Sequence, residues 1–504
     1  MPASTANPSP QIMPAKPVPD IRLQYNRMLH ENFKHVFMRT VDDEYYVRIL
    51  VYRNIHYREI HPEAVPLFSF TLPADAPLYA EGYQMLSRIE GTGGSPVSAG
   101  RLSDDGDLHV LPAGTGEMLG FNYLVTRIGE LWYLLGAVSC LETFISFRIH
   151  SGQVDVIWQM DGCLVAPCSE FLGEKVCLIT SPSRDELMER YARMIAGCHG
   201  VRRSSPKSGW CSWYAYGAGV TGDQVIRAAE LMRDQWPELE YVQIDDGYQT
   251  HMGDWLTPSD QFPGGLELLC SRIRDAGRKI GIWVAPFIAS GSSAVFREHP
   301  DWFVCGRRKR PLAAGEVTYG GWRDGPWYML DFSVSEVRDW IRSVFRHFRS
   351  LGIDYFKLDA LYWGAVPCVR YRDRSMTVVR HYRLGLETVR EGAGEGCFIL
   401  GCNAPLWPSL GLVEAQRITD DVERSHGRIA SNAAEAAARQ WMSGRLWLND
   451  PDCIVTTGVA PEDIDLQERT AVSARGPLIS GDPLDEASPR LREIAAAWRK
   501  AEHL

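Results

Sequence analysis

Between residues 209 and 482 eight short apolar runs, five of them ending on Asp, alternate with helical signals. The runs are GWCSW (Gly209 to Trp213), YVQIDD (Tyr241 to Asp246), IGIWVAPF (Ile280 to Phe287), YFKLD (Tyr355 to Asp359), FILGC (Phe398 to Cys402), AQRITDD (Ala415 to Asp421), LWLND (Leu446 to Asp450) and PLISGD (Pro477 to Asp482). Strand and helix signals in steady alternation restrict a chain to parallel βαβ units, and eight such units predict a (β/α)8 TIM barrel with its chemistry at the C-terminal strand ends. Val337, Trp340, Ile341, Val344, Phe345 and Phe348 recur at steps of three and four, with Ser333 and Glu336 spaced as a capping box. A last amphipathic helix carries Leu491, Ile494, Ala495 and Trp498. The longest break, Ile288 to Ser333 after the third run, reads as an active-site loop with Trp302, Trp322 and Trp327 partly over the cleft.

Before about Ser204 the texture differs. Short β-rich runs such as Tyr45 to Arg53 and Glu130 to Val138 are broken by Gly, Pro and Asp, which predicts an N-terminal β-sandwich. The expected organisation is a disordered Pro/Ser/Ala-rich leader over 1–20, a sandwich over 21–190 and the catalytic barrel over 200–504. The sandwich holds no dense set of catalytic residue types, so its expected part is support, oligomer contact or one wall of a cleft.

A formal net charge of −10 argues against a nucleic-acid partner, which requires clustered Lys and Arg, and no apolar run has the length of a membrane span. The leader lacks the basic start and apolar core of a signal peptide, and the 12 cysteines include no C-x-x-C pair. Reduced thiols and a cytoplasmic location are expected, with no zinc site.

Buried parallel strands should be apolar throughout, yet these end on Asp245 and Asp246, Asp359, Asp420 and Asp421, and Asp450 and Asp452. One Asp after a strand often caps the next helix. A convergent set beside Lys357, Arg417 and several of the 16 Trp residues points instead to glycosidic cleavage, where one carboxylate attacks the anomeric carbon and another protonates the leaving oxygen.

The motifs GWCSW, QIDDGYQ, GDW, FPGGL, KIGIWVAPF, FKLD, LGCNAPL, QRITDD and WLNDPD, in this order from about Ser208 to Asp482, resemble clan D glycoside hydrolases and most closely the α-galactosidases of glycoside hydrolase family 36. The resemblance implies Asp359 as nucleophile and Asp421, four residues after Arg417, as general acid/base, with Asp420 as the alternative. It places the sugar's 4- and 6-hydroxyls on Asp245 and Asp246, a galactose-binding lysine at Lys357, ring contacts at Trp213 and Trp283, the 2-hydroxyl at Cys402 and the arginine before the acid/base at Arg417. Three departures stand out: Asn403 where many relatives have Gly, Thr419-Asp420 in place of Gly-Pro, and no β-domain expected after the eighth helix.

The implied activity is retaining hydrolysis of terminal α-D-galactosyl residues through a covalent intermediate on Asp359, on an oligosaccharide or glycoside substrate, with no metal or organic cofactor. The rivals are a raffinose-type galactosyl transferase, an α-N-acetylgalactosaminidase and a catalytically silent carbohydrate-binding protein. The residues do not specify an oligomeric state.

Overall fold

The computed structural model describes residues 33–39, 46–54, 57–100, 116–306, 310–367 and 370–502, so the expected leader, 1–20, lies outside the described residues. The eight expected strands are present as Ser208–Cys211, Tyr241–Ile244, Lys279–Val284, Ile353–Leu358, Phe398–Gly401, Ala415–Arg417, Leu448–Asp450 and Leu478–Ser480. They pair in parallel in chain order, and the eighth pairs with the first. The eighth meets the chain just beyond the seventh's end, where the Ile454 N–H donates to Ile479 at 2.7 Å and the Gly481 N–H to Ile454 at 2.8 Å. This is the (β/α)8 order. Strands such as Tyr241–Ile244 and Phe398–Gly401 are buried at every residue, as parallel strands covered on both faces must be.

Helices return the chain between strands, and their sequences set their starts. Thr221 and Gln224 form a reciprocal capping box on Gly222–Asp234, while Ser183, Thr377 and Ser425 each accept a backbone N–H at the head of Arg184–His199, Val378–Ala393 and His426–Arg439. The box expected from Ser333 and Glu336 does not form. That helix is Ser335–Ser350, Val334 is its N-cap and no side chain caps it. Asp331 takes the Ser333 N–H at 2.9 Å, and the Ser333 hydroxyl accepts from the Asp373 N–H at 3.1 Å, so the serine closes a turn and leaves the helix uncapped. Its apolar face is buried as expected through Val337, Ile341, Val344, Phe345 and Phe348, with Trp340 only partly covered. In the last helix, Arg490–Glu502, Leu491, Ile494, Ala495 and Trp498 are all buried.

The described strands before the barrel join into one antiparallel network of eleven. It forks at Met118–Ile128, whose first residues pair with Phe144–His150 and whose later ones pair with Leu131–Ala137. Asn122, at φ +68°, sits at the switch. One arm runs on through Glu170–Ser181 to Tyr46–Arg53, and the other through Gln153–Gln159 to Ala64–Thr71.

Sheet and barrel share buried contacts. The Leu406 N–H donates to the Tyr83 carbonyl at 2.9 Å, the Trp407 indole to the Ala137 carbonyl at 2.9 Å, and Arg439 pairs with Glu81 at 2.7 Å with both side chains wholly enclosed. Burial opposes the Arg439 charge, but the Glu81 carboxylate outweighs it and raises the guanidinium's proton affinity. Among the described residues no helix is long and apolar enough to cross a membrane, and all eleven described cysteines are free thiols.

Candidate active site

The C-terminal ends of the barrel strands surround a cavity of about 160 Å³. Trp213, Asp245, Asp246, Trp283, Lys357, Asp359 and Asp421 line it, together with Asp420, so one cavity collects candidates from strands far apart in sequence. Arg417 and Cys402 do not line it; both are buried behind the wall.

Asp359 follows the fourth strand, and its N–H donates back to Val284 at 2.9 Å. Its Oδ1 accepts from the Ala360 N–H at 2.7 Å and from Asn403 Nδ2 at 2.8 Å, and its Oδ2 accepts from Trp283 Nε1 at 3.1 Å. Ala360 and Asn403 both have positive φ, +51° and +43°, which turns their donors back onto the carboxylate. Lys357 lies two residues earlier on the same strand, but its ammonium goes to Asp245 Oδ2 at 2.9 Å. Burial opposes that charge, and the Asp245 carboxylate more than restores it, holding the Lys357 proton affinity well above the ordinary lysine range. Asp245 Oδ2 also accepts from Gln243 Nε2 at 2.7 Å, and Oδ1 from the Asp246 N–H at 2.9 Å.

Asp246 has a partner that the sequence did not suggest. Arg323 grips both its oxygens, with Nε 2.8 Å from Oδ2, and the Trp322 indole and Gln249 amide donate to it at 3.1 and 2.8 Å. Arg323 comes from the long loop after the third strand, which folds a small antiparallel pair, Ile288–Ser290 with Trp327–Met329. The adjacent Asp324 pins the loop by accepting the Met252 N–H at 2.8 Å. Of the three loop tryptophans expected over the cleft, Trp322 lines the cavity and Trp327 is fully buried beneath it at 4.6 Å between rings. Trp302 is elsewhere. It stacks on His299 at 3.9 Å and packs on Trp340, because the Pro300–Trp302 turn sends it to the outer helix Ser335–Ser350.

On the other side of the cavity Asp421 is half exposed, and its Oδ1 accepts from Arg417 Nη1 at 3.0 Å. Asp420 is buried. One of its oxygens accepts the Asp421 N–H at 2.8 Å and the other pairs with Arg428, which leaves Asp421 the freer carboxylate of the two. Arg417 also reaches Asp450 and Asp452, which lie under the wall and do not line the cavity.

Several lining residues escaped the sequence reading. Tyr319 and Trp363 extend the aromatic wall, and Met85 and Leu86 arrive from the N-terminal sheet. Arg439 fixes that segment by donating to the Met85 carbonyl at 2.8 Å and the Ser87 carbonyl at 3.0 Å, and it reaches the Ile418 carbonyl at 2.7 Å beside the acidic pair. The repeated Trp residues hinted at Trp363; nothing local to Met85 marked it. Among the described residues no group of three or more His, Cys, Asp or Glu is arranged to hold a metal ion.

Residues 223–392 match the melibiase family model. Similar relatives include the bifunctional alpha-galactosidase/sucrose kinase AgaSK of Mediterraneibacter gnavus, 30% identical over 29% of this chain, and alpha-galactosidase AgaA of Geobacillus stearothermophilus, 28% identical over 30% of it. The matched segments span 15% and 21% of those relatives' own lengths. Among solved structures, the Thermus thermophilus alpha-galactosidase TtGalA, in complex with p-nitrophenyl alpha-D-galactopyranoside, superposes with a TM-score of 0.70 at 24% identity, covering 92% of this chain and 94% of that one. Geobacillus AgaA, with 1-deoxygalactonojirimycin, superposes with a TM-score of 0.66 at 14% identity, covering 94% of this chain and 68% of that one. The motifs, the barrel and these likenesses agree: residues 223–392 match a melibiase domain, and the chain is similar there to the α-galactosidases of glycoside hydrolase family 36.

Proposed function

We propose that the chain is a retaining α-galactosidase that removes terminal α-D-galactosyl residues from oligosaccharides or glycosides by double displacement. The observation that carries this reading is the meeting of Asp359 and Asp421 at one cavity that Asp245 and Lys357 also line. In the first step an Asp359 oxygen attacks the anomeric carbon while Asp421 gives its proton to the glycosidic oxygen; the C–O bond breaks and the alcohol leaves. In the second, Asp421 as carboxylate takes a proton from water, the water oxygen bonds to the anomeric carbon, and Asp359 departs as carboxylate with net retention. The reaction so written needs no metal or cofactor.

Asp245, Asp246 and Lys357 are assigned to the axial 4-hydroxyl and the 6-hydroxyl, with Arg323 setting the orientation of Asp246. Trp213 and Trp283 are assigned to the sugar ring. Asn403, which lines the cavity, is assigned to the 2-hydroxyl side expected of Cys402, with Cys402 buried behind it, and Arg417 to holding Asp421. Relatives in the same fold class are known in complex with stachyose and raffinose, which supports an oligosaccharide substrate here.

We read the described residues of 21–190 as a sandwich whose two arms face one another: the Trp158 ring lies 6.1 Å from Phe171 of the other arm, filling the space a side chain at Gly173 would need. The described residues of 200–504 form the catalytic barrel, and the free thiols among the described residues favour the reducing cytoplasm.

The test is turnover of nitrophenyl α-glycosides by the purified chain. A site that hydrogen-bonds an axial hydroxyl should prefer the α-galactoside over the α-glucoside by up to about 10⁴-fold in kcat/KM. Comparable rates on the two overturn the galactose reading, and no turnover of any α-glycoside overturns the hydrolase reading.

A further inference from the structure

Under the acid side of the cavity one guanidinium faces three carboxylates. Arg417 donates from Nε to Asp450 Oδ2 at 2.9 Å and from Nη1 to Asp421 Oδ1 at 3.0 Å. Its Nη2 lies 2.6 Å from Asp452 Oδ1, an ion pair not aligned as a hydrogen bond. Arg417, Asp450 and Asp452 are buried; Asp421 alone opens to the cavity.

Asp452 is held from its other side too. Its Oδ2 accepts the Tyr214 hydroxyl and the Val422 N–H, the latter at 2.7 Å, and its own N–H donates to Asp450 Oδ1 at 3.1 Å. Val422 directly follows Asp421, so apart from Tyr214 the side-chain contacts of Asp452 are the cation that faces Asp421 and the backbone beside it. A lone guanidinium 3.0 Å from a general acid favours its ionised form and opposes the proton that the acid must carry. Two further carboxylates on the same guanidinium divide that pull.

We propose that Asp452, steadied by Tyr214, is a positioning residue for Asp421: it shares the Arg417 guanidinium so that this cation orients the acid/base without becoming its dedicated counter-ion. The inference rests on the reading of Asp421 as acid/base. The charged and titratable groups around Asp452 are Arg417, Asp421, Asp450, Lys357, Tyr214 and Cys453. Burial pushes the Asp452 carboxyl up to about 6, Arg417 pulls it down, and Asp421 and Asp450 push it up again. Below that pH Asp452 is neutral, Arg417 loses a counter-ion and its attraction falls on Asp421. Proton donation in the wild type should therefore weaken as pH falls through about 6.

The experiment compares Asp452→Asn, Tyr214→Phe and Asp421→Ala in the full chain on an activated aryl α-galactoside and an alkyl α-galactoside across pH. Asn accepts the +75° φ of position 452 at least as readily as Asp and keeps an oxygen for the Val422 N–H. Turnover of the alkyl substrate should fall about tenfold more than that of the aryl substrate in Asp452→Asn, because only the alkyl leaving group needs the proton. The alkaline limb of kcat/KM should move to lower pH and the step near pH 6 should vanish. Tyr214→Phe should shift both in the same direction by less, and it carries the test if circular dichroism finds Asp452→Asn unfolded. Equal losses on both substrates, or an unmoved pH profile, overturn the positioning role. If Asp421→Ala itself lacks the leaving-group dependence, the acid/base reading fails and the proposal with it; dependence in Asp421→Ala without it in the other two overturns the positioning role alone.

Discussion

The two carboxylates that meet at the cavity are held in contrasting ways. Three neutral donors, an indole, a side-chain amide and a backbone N–H, hold Asp359, while the nearby ammonium of Lys357 is directed to Asp245. A guanidinium that two other acids share contacts Asp421, which stands half exposed. The difference follows the chemistry proposed for each. A nucleophile must keep its place, stay ionised before attack and leave again as a carboxylate, and neutral donors support that charge without trapping it. An acid/base must change charge within each turnover, which calls for a compensated cation and access to water.

Breaking the nucleophile side should have the largest effect. Asp359→Gly should lower kcat by at least about 10⁴-fold with little change in thermal stability, and added azide should restore turnover as a β-galactosyl azide. Residual activity above about a hundredth of wild type is far too much for a lost covalent nucleophile and breaks the comparison at its root. Next, Asp421→Ala should lower turnover of alkyl galactosides by roughly 10²- to 10⁴-fold and of activated aryl galactosides much less. Asp420→Ala should be milder on both; the reverse ranking moves the acid/base to Asp420.

Smaller effects sharpen the contrast. Arg323→Met strands Asp246 without its cation, and KM for the galactoside should rise by about tenfold with a lesser change in kcat, the pattern of lost substrate binding. An unchanged KM would place Arg323 outside substrate recognition. Asn403→Gly removes one donor to Asp359 while relaxing a positive φ, so kcat should drop by about three- to tenfold with thermal stability held or slightly raised. A fall in stability with kcat intact would make Asn403 a backbone element and not a partner of the nucleophile.

The barrel was legible because its signal is local and repeated. Each strand is a short, largely buried run that ends where polar residues become tolerable, so Asp245, Asp359 and the Asp420–Asp421 pair could be expected at the cavity from position, while the choice of Asp421 and the role of Lys357 came from the family resemblance. What failed was what depends on partners distant in sequence. Ser333 and Glu336 have the spacing of a capping box, but Asp331 and Asp373 claim the serine. Trp302 lies in the right loop yet packs outward on Trp340. Arg323 pairs with an acid 77 residues earlier, and Met85 reaches the cavity from a different sheet. Periodicity carries no information about such meetings.

Glu81 and Arg439 stand 358 residues apart in the chain and enclose each other completely. Ionised groups so deeply enclosed are tolerated only as a pair, and losing one partner costs about 3–5 kcal/mol because the survivor is left buried and uncompensated. The consequence reaches into how such a protein can be recombined. A chimera joining this barrel to the N-terminal half of a relative keeps an intact cavity only when glutamate, arginine and the Met85–Leu86 segment are inherited together. Through this enclosed pair the sheet and the barrel should be exchanged as one unit.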